Sequence, residues 1–508
     1  MKNKKTVGIV LSYLLIIIDI FVGIFFVPYL LKSLGDTDYG VYKLMVSTAA
    51  YLSVLDFGIG GTLTRYIVKY KTENDKKGEE NFSAMGLIIY AFLAVVVLLI
   101  ALGITFVIPS MYQTSIPAES VGDAQWMFLI ICATTAVSLF NHGYNGIITA
   151  YERFTYNQTS NIVKILLRIV LIIFGLKIFN SALLVVLIDF ALAVLLLIVN
   201  VFYTRFSIKS RIHLHGWDWK LAKEAGAFTV AILVQAIINQ FNSNVDNIVL
   251  GIYTTAATVT LYSLVIQIYS IFGSLSTAIT TIYLPSISRS VFQGATDEEI
   301  TRKVIEPSRM QLFVLCFALT GFYLLGQDFV EIWVGKGYED VYLLTCILLT
   351  ASMIDLSQNT INSILKAKNM LHGKTLILAI STAVNVILTF VLVPITGAIG
   401  AVIGTAFSLV FGYGLALNIY YQKRVHLKMG LYYKETYKGI VLAVLLTTAV
   451  GYFIIRFIHL SGWIGFIVKG VTFAILYILA ILGVGLNKKE RQKVVGLFRR
   501  IRRKRENN

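Results

Sequence analysis

The sequence predicts an all-α integral membrane protein of about fourteen transmembrane helices. Hydrophobic residues fill 57% of the 508 positions and charged ones only 14%, a balance foreign to a soluble globular chain. Apolar stretches of roughly 20 residues or more recur along the whole length, each long enough to cross a ~30 Å hydrocarbon core as a helix. The short alternating segments of a membrane β-barrel are absent.

From one polar break to the next, helices are expected near residues 6–34, 39–70, 82–110, 124–150, 154–178 and 180–204. A second set follows near 220–250, 255–288, 307–333, 341–368, 374–394, 397–422, 436–457 and 463–485. The first segment is too long for a signal-peptide core and has no small-residue cleavage site, so it is expected to be retained.

An even number of spans puts both termini on one side, and the basic residues say which. With Lys2, Lys4 and Lys5 inside, nearly every loop cation from Lys69 to Lys438 falls on the cytoplasmic side, Arg309, Lys366, Lys368 and Lys374 among them. The outer loops hold Lys32, Lys177, Lys336 and Arg456 beside the acids Asp36, Asp38, Glu119, Asp123, Asp328, Glu339 and Asp340. The net charge of +17 is thus a topology signal, and nucleic acid is not an expected partner. In the basic tail, Val494, Val495, Leu497, Phe498 and Ile501 fit one helical face against anionic membrane lipids, or the tail is simply solvated.

Cys132, Cys316 and Cys346 share no spacing and read as buried thiols; His213 and His215 read as solvated residues of a basic loop. Neither a phosphate-binding GxxxxGK[ST] run nor a metal-ligand pattern is present, so no cofactor is expected.

Weak internal symmetry suggests two lobes. "NGIITA" from Asn145 is echoed by "NSILKA" from Asn362, 217 residues on, and Tyr42-Lys43-Leu44 by Tyr262-Ser263-Leu264, 220 residues on. The expected organisation is a six-helix lobe over 1–205, a cytoplasmic linker 206–219, a second six-helix lobe over 220–425, a helix pair over 426–486 and a basic tail 487–508. Two pseudo-symmetric parallel lobes around a central cavity suit an alternating-access carrier.

An ionisable side chain at mid-bilayer costs about 2.5–3.5 kcal/mol on insertion scales and needs a partner or a watery cavity. The candidates are Asp19, Lys43, Asp56, Arg65, Lys164, Arg168, Asp189, Asp246, Asp355 and Lys469. Lys43, Arg65, Asp246 and Lys469 lie near enough to helix ends to snorkel. At ~1.5 Å per residue, Arg168 and Asp189 lie at matching depth on adjacent antiparallel helices. An Arg168–Asp189 ion pair and a cavity-facing Arg168 are both open. Lys164, one turn away on the same face, has no comparable partner and is the stronger candidate for binding an anion, a phosphate or diphosphate above all.

"NVDNIVLGIYTTAATVTLYSL" from Asn244, "AVNVILTFVLVPITGAIGAVIGTAFS" from Ala383 and "YLSVLDFGIGGTLTRYI" from Tyr51 resemble signatures of the polysaccharide flippases of the multidrug/oligosaccharidyl-lipid/polysaccharide exporter superfamily. The resemblance implies flipping of an undecaprenyl-diphosphate-linked oligosaccharide across a bacterial cytoplasmic membrane, by a transporter and not an enzyme, expected as a monomer, with a polysaccharide polymerase as a possible partner. Peptidoglycan-precursor flippases carry cations in their first helix; this chain has Asp19 and no Lys or Arg from Thr6 to Leu31, which argues against lipid II as substrate. Lys164, Arg168, Lys43 and Arg65 are the expected substrate-binding residues, and Asp19, Asp56, Asp189, Asp246 and Asp355 the expected ion-coupling or ion-pair residues. The alternative is a cation-coupled multidrug exporter, against which the extra helix pair counts. A membrane polymerase is disfavoured by short outer loops without an acid, base and nucleophile.

Overall fold

A computed structural model describes residues 2–56, 58–492 and 496; of residues 2–10, 12, 13, 16, 19, 220–232, 278, 281 and 282 it describes the backbone alone. The side chain of Asp19 and the apolar face expected in the tail therefore lie outside the described residues. Among the described residues eleven helices are long and apolar enough to cross a membrane. One of them, Ile20–Thr72, joins two expected spans, and the helices Phe154–Ile178 and Trp219–Tyr253 stand where two further spans were expected.

By internal contacts the chain forms two compact units, Met1–Ser263 with Asn385–Gly404, and Leu264–Val384 with Thr405–Asn508. Their borders differ from the expected lobe borders at 205 and 220. The reason lies in the packing of α7 (Trp219–Tyr253) on α1 (Lys2–Ala50): Asn247 Nδ2 donates to Ser47 Oγ at 3.0 Å, and the Tyr51 ring just past α1 meets Phe241 edge-on at 5.2 Å.

The first unit continues through α2 (Ile59–Thr72), α3 (Lys76–Met111), α4 (Val121–Ala150), α5 (Phe154–Ile178) and α6 (Ala182–Phe202), and takes in the start of α8 (Ala256–Phe292). The boundary expected near residue 35 is a kink inside α1, where Gly35 has φ 79° and ψ 170°. The second expected span is not one helix: α1 runs to Ala50, a 3-10 turn covers Tyr51–Asp56, and α2 restarts after Gly58, whose φ of 68° is left-handed. That break fixes how α2 meets α4. The Thr64 hydroxyl donates to the Gly146 carbonyl at 3.0 Å, and a Cβ on Gly146 would stand 2.8 Å from the Gly60 carbonyl oxygen, so only glycine permits the approach.

The second unit holds the rest of α8, α9 (Asp297–Val334), α10 (Glu339–Ser357), α11 (Ile361–Ala367), the first half of α12 (Leu371–Thr396), the end of α13 (Ala398–Phe407), α14 (Leu417–Lys423), α15 (Met429–Tyr437), α16 (Ile440–Arg456) and α17 (Gly462–Ala480). The expected helix 341–368 is interrupted after Ser357, and 397–422 contains a π-helical stretch at Ser408–Ala416. Apolar residues of α9, α16 and α17, among them Leu312, Ala443 and Phe473, form one core.

Arg309, expected as a loop charge, is 1% exposed and pins this unit together. Its Nε and Nη2 grip Glu490 at 2.7 and 2.9 Å, Nη2 also donates to the Gly485 carbonyl at 2.7 Å, and Nη1 reaches the carbonyls of Glu435, Thr436 and Lys438. The planar guanidinium ties α9 to α15, to the turn before α16 and to the segment after α17 in one stroke. Arg309→Ala strands a half-buried carboxylate and four carbonyls, so it is expected to cost about 3 kcal/mol and to lower the thermal midpoint in detergent. Arg309→Lys, with three donors for six acceptors, falls between.

Candidate functional site

The sequence gives α5 two faces. Asn157, Asn161, Lys164 and Arg168 follow at spacings of four, three and four, which stacks them on one side of the helix. Leu166, Val170 and Phe174, away from that row, are exposed, as residues facing acyl chains would be. Thr134, Asn141 and Asn145 make a matching stripe on α4, and Asp189 and Asn200, three turns apart, make one on α6.

The stripes meet. Arg168 binds Asp189 through both arms, Nε to Oδ1 at 2.5 Å and Nη2 to Oδ2 at 2.9 Å, and lies 5.6 Å from the Phe26 ring centre on α1. The Arg168–Asp189 pair, one of the two arrangements the sequence leaves open, is present in the structure. Asn200 Nδ2 donates to Asn141 Oδ1 at 2.6 Å and, at 3.4 Å, to Asn145 Oδ1, while the Tyr156 hydroxyl donates to Asn200 Oδ1 at 2.8 Å. Asn157 Nδ2 reaches the Thr149 hydroxyl at 3.1 Å. Each of these polar groups thus finds its partner on a neighbouring helix, which offsets the cost of removing it from water.

A cavity of about 520 Å³ opens among these helices, lined by Leu15, Thr134, Asn161, Lys164, Ile165, Arg168 and Asp189. Lys164 is half-buried in its wall and makes no ion pair or hydrogen bond among the described residues. Asp189 is already taken by Arg168, so the described groups of the cavity wall, two cations and one carboxylate, sum to one positive charge. Tyr42 sits beside Arg168, and its chain neighbour Lys43 holds its ammonium 5.4 Å from the Tyr39 ring centre. Arg65 is exposed on α2 and does not line this cavity.

The other acids have protein partners. Asp56, at the break before α2, accepts from the Tyr90 hydroxyl at 2.7 Å and stands 3.3 Å from His142 Nδ1. Asp246 is 4% exposed; it accepts from Tyr262 and, at 2.9 Å, from Thr389, which also reaches Asn385 Oδ1 at 3.4 Å. In the second unit Asp355 lies within electrostatic reach of Lys374, whose ammonium donates to Asn362 Oδ1 at 2.7 Å, so Lys374 is not the solvated loop charge expected. Lys469 pairs with Asp328 at 2.6 Å. Cys132, Cys316 and Cys346 are free and buried. His215 is exposed in the loop, as expected, and is also anchored: its Nε2 lies 3.0 Å from Glu80 Oε2 and its backbone N–H donates to Asn81.

Since Arg168 holds Asp189 and Lys164 holds nothing, the two cations should separate in stability measurements. Arg168→Ala leaves Asp189 unpaired and is expected to destabilise by about 3–5 kcal/mol, most of it recovered in the Arg168→Ala/Asp189→Ala double variant. Lys164→Ala is expected to leave the thermal midpoint in detergent unchanged or raised.

Comparison with known proteins places this geometry. The profile of the polysaccharide biosynthesis protein family matches residues 6–291. The chain is 20% identical over 520 residues to the uncharacterized membrane protein EpsK of Bacillus subtilis, covering 98% of this chain and 99% of that one. It is 28% identical over 177 residues to the probable flippase AglR of Haloferax volcanii, 34% of this chain and 37% of that one. Among solved structures, the lipid II flippase MurJ in an inward closed conformation aligns with a TM-score of 0.70 at 14% identity, covering 93% of this chain and 97% of MurJ. An inward-facing MATE-family multidrug transporter aligns at 0.56 and 14% identity, covering 76% and 92%. These folds are all-α membrane transporters, in keeping with the helices described above. The chain belongs to the polysaccharide biosynthesis protein family and has the multi-helix fold of these membrane transporters.

Proposed function

We propose that the chain flips an undecaprenyl-diphosphate-linked oligosaccharide repeat unit across the bacterial cytoplasmic membrane, by alternating access, for export of a surface polysaccharide. The observation that carries this reading is the unpaired Lys164 in the wall of a polar cavity within an otherwise apolar stretch of chain. A diphosphate leaving water must exchange its hydration for charge-assisted hydrogen bonds, and a lone ammonium supplies them where a lipid tail could not. Asn161 and Thr134 beside it offer amide and hydroxyl groups suited to sugar hydroxyls. Lys43 stands near enough to Arg168 to add to the same positive field. Arg65, away from this cavity, is left a place elsewhere on the substrate's path.

In this reading the chain crosses the bilayer fourteen times with both termini cytoplasmic, its two six-helix lobes rock about the substrate, and it works as a monomer that hands product to a polysaccharide polymerase. Asp246, Asp56 and Asp355 are the acids through which an ion gradient would drive the cycle, each buried or half-buried among polar groups. The cation-coupled drug exporter is the competing reading; an uncompensated cation in the cavity favours an anionic cargo over the cationic drugs such exporters carry.

The test is leaflet translocation of a fluorescent polyprenyl-diphosphate oligosaccharide in reconstituted vesicles. Loss of one charge-assisted hydrogen bond, about 1.5–3 kcal/mol, predicts a fall of about ten- to a hundredfold in Lys164→Ala, with most activity kept in Lys164→Arg. Full activity in Lys164→Ala would remove this cavity from the path. Cationic drug efflux from the same vesicles, unchanged in Lys164→Ala, would favour the exporter.

A further inference from the structure

A second, larger cavity of about 730 Å³ lies in the first unit where α3 begins and α6 ends. Arg205, Lys209, Arg211 and His213 line it, with Glu80 and Tyr144 among the groups completing its wall. Among the described residues, the side chains of Arg205, Lys209 and Arg211 make no ion pair or hydrogen bond. Glu80, the one carboxylate in the wall, is held by His215 Nε2 at 3.0 Å. Three exposed cations on the wall of a single hollow sum to a positive potential that attracts an anion.

The hollow is built, not a chance of loose loops. After α6 the chain makes a π-helical turn, Tyr203–Ile208, and reverses at Lys209, which takes the left-handed φ of 58°. The Ser210 N–H then donates to the Thr204 carbonyl at 3.2 Å, and the backbone N–H groups of His215 and Gly216 both donate to Asn81 Oδ1, at 2.8 and 3.1 Å. The linker is thereby strapped to α3, with its basic side chains set around the cavity before any ligand arrives.

The cavity also adjoins the polar stripes. Tyr144 and Val201 in its wall are the chain neighbours of Asn145 and Asn200, which hydrogen-bond to each other and, through Asn141 and Tyr156, lead along α4 and α5 toward Asn161 and Lys164. On α4, Tyr144 and Thr134 lie ten residues apart, about 15 Å along the axis. A row of amides and hydroxyls thus runs from one cationic cavity to the other.

We infer that the Arg205–Lys209–Arg211 cavity is a loading site, which binds the phosphate groups of the cargo before they reach Lys164. This rests on the flippase reading and adds to it a site of first capture. Three cations with four or more donors between them suit a diphosphate, and the volume leaves room for the first sugar.

The experiment uses the full chain in detergent, with inorganic pyrophosphate as probe and protection against thermal unfolding as readout. Arg205→Gln/Arg211→Gln is expected to weaken apparent pyrophosphate affinity at least about tenfold, whereas Lys164→Ala keeps a pyrophosphate site. Glu80→Gln removes the only carboxylate of the wall while keeping an acceptor for His215, and is expected to tighten binding, a gain that misfolding cannot mimic. In transport, Arg205→Gln/Arg211→Gln raises the substrate concentration for half-maximal rate and spares the maximal rate; Lys164→Ala lowers the maximal rate. Unchanged pyrophosphate affinity in both Arg205→Gln/Arg211→Gln and Glu80→Gln would overturn the loading site and leave the flippase reading standing. Pyrophosphate binding that depends on Arg205 and Arg211, in a chain that translocates no polyprenyl-diphosphate oligosaccharide, would count against the flippase reading instead. If phosphatidylglycerol added to phosphatidylcholine vesicles abolishes pyrophosphate binding as fully as the double substitution does, the pocket belongs to a membrane lipid headgroup and the inference fails.

Discussion

The two-armed bond between Arg168 and Asp189 is the interaction on which the rest of the first unit's chemistry depends. Either charge alone would be costly among apolar helices, and together, in fork-to-fork geometry, they are tolerable. Among the described residues the same bond consumes the one carboxylate that lines the cavity with Lys164. A charge-neutral pair and a bare ammonium one helical turn apart therefore produce a cavity with net positive charge.

Similar obligations recur wherever polar groups enter this apolar chain, and they are met in different ways. Arg309 is satisfied wholly by protein, through Glu490 and four backbone carbonyls, and acts as a structural pin. Asp246 is enclosed by the Tyr262 and Thr389 hydroxyls, with Asn385 beside them. The Asn141–Asn145–Asn200 amides satisfy one another without charge. Full satisfaction marks Arg309 as architecture; uncompensated charge marks Lys164, and the Arg205–Lys209–Arg211 cluster, as places that await a ligand.

Much of this is legible in the sequence, because hydrophobic period and length dominate in a membrane chain. The helices Phe154–Ile178 and Ala182–Phe202 lie within two residues of where polar breaks place them, and rise per residue alone sets Arg168 level with Asp189. The break in the second span escapes such a reading, although its cause, Gly58 before Gly60 and Gly61 beside Asp56, is written there; the apolar run around it masks a turn of a few residues. Arg309 and Lys374 pass for topology charges because composition counts a cation near a helix end without seeing what folds over it. The linker 206–219 is largely exposed, as its basic composition implies, but its anchorage is not legible there. Its straps to Asn81 and Glu80 join residues some 135 positions apart, which no local pattern reveals.

The family membership and the transporter fold give these cations their setting, and electrostatics makes them fit to replace the water that a phosphate loses on entering the membrane. The most direct measurement is an experimental density map of the full chain in lipid nanodiscs with a bound polyprenyl-diphosphate oligosaccharide. Phosphate density within ~2.7–2.9 Å of Lys164 Nζ, with Arg168 still on Asp189, is the predicted result. Cargo held elsewhere, with Lys164 turned toward acyl chains or paired with an acid, would contradict it.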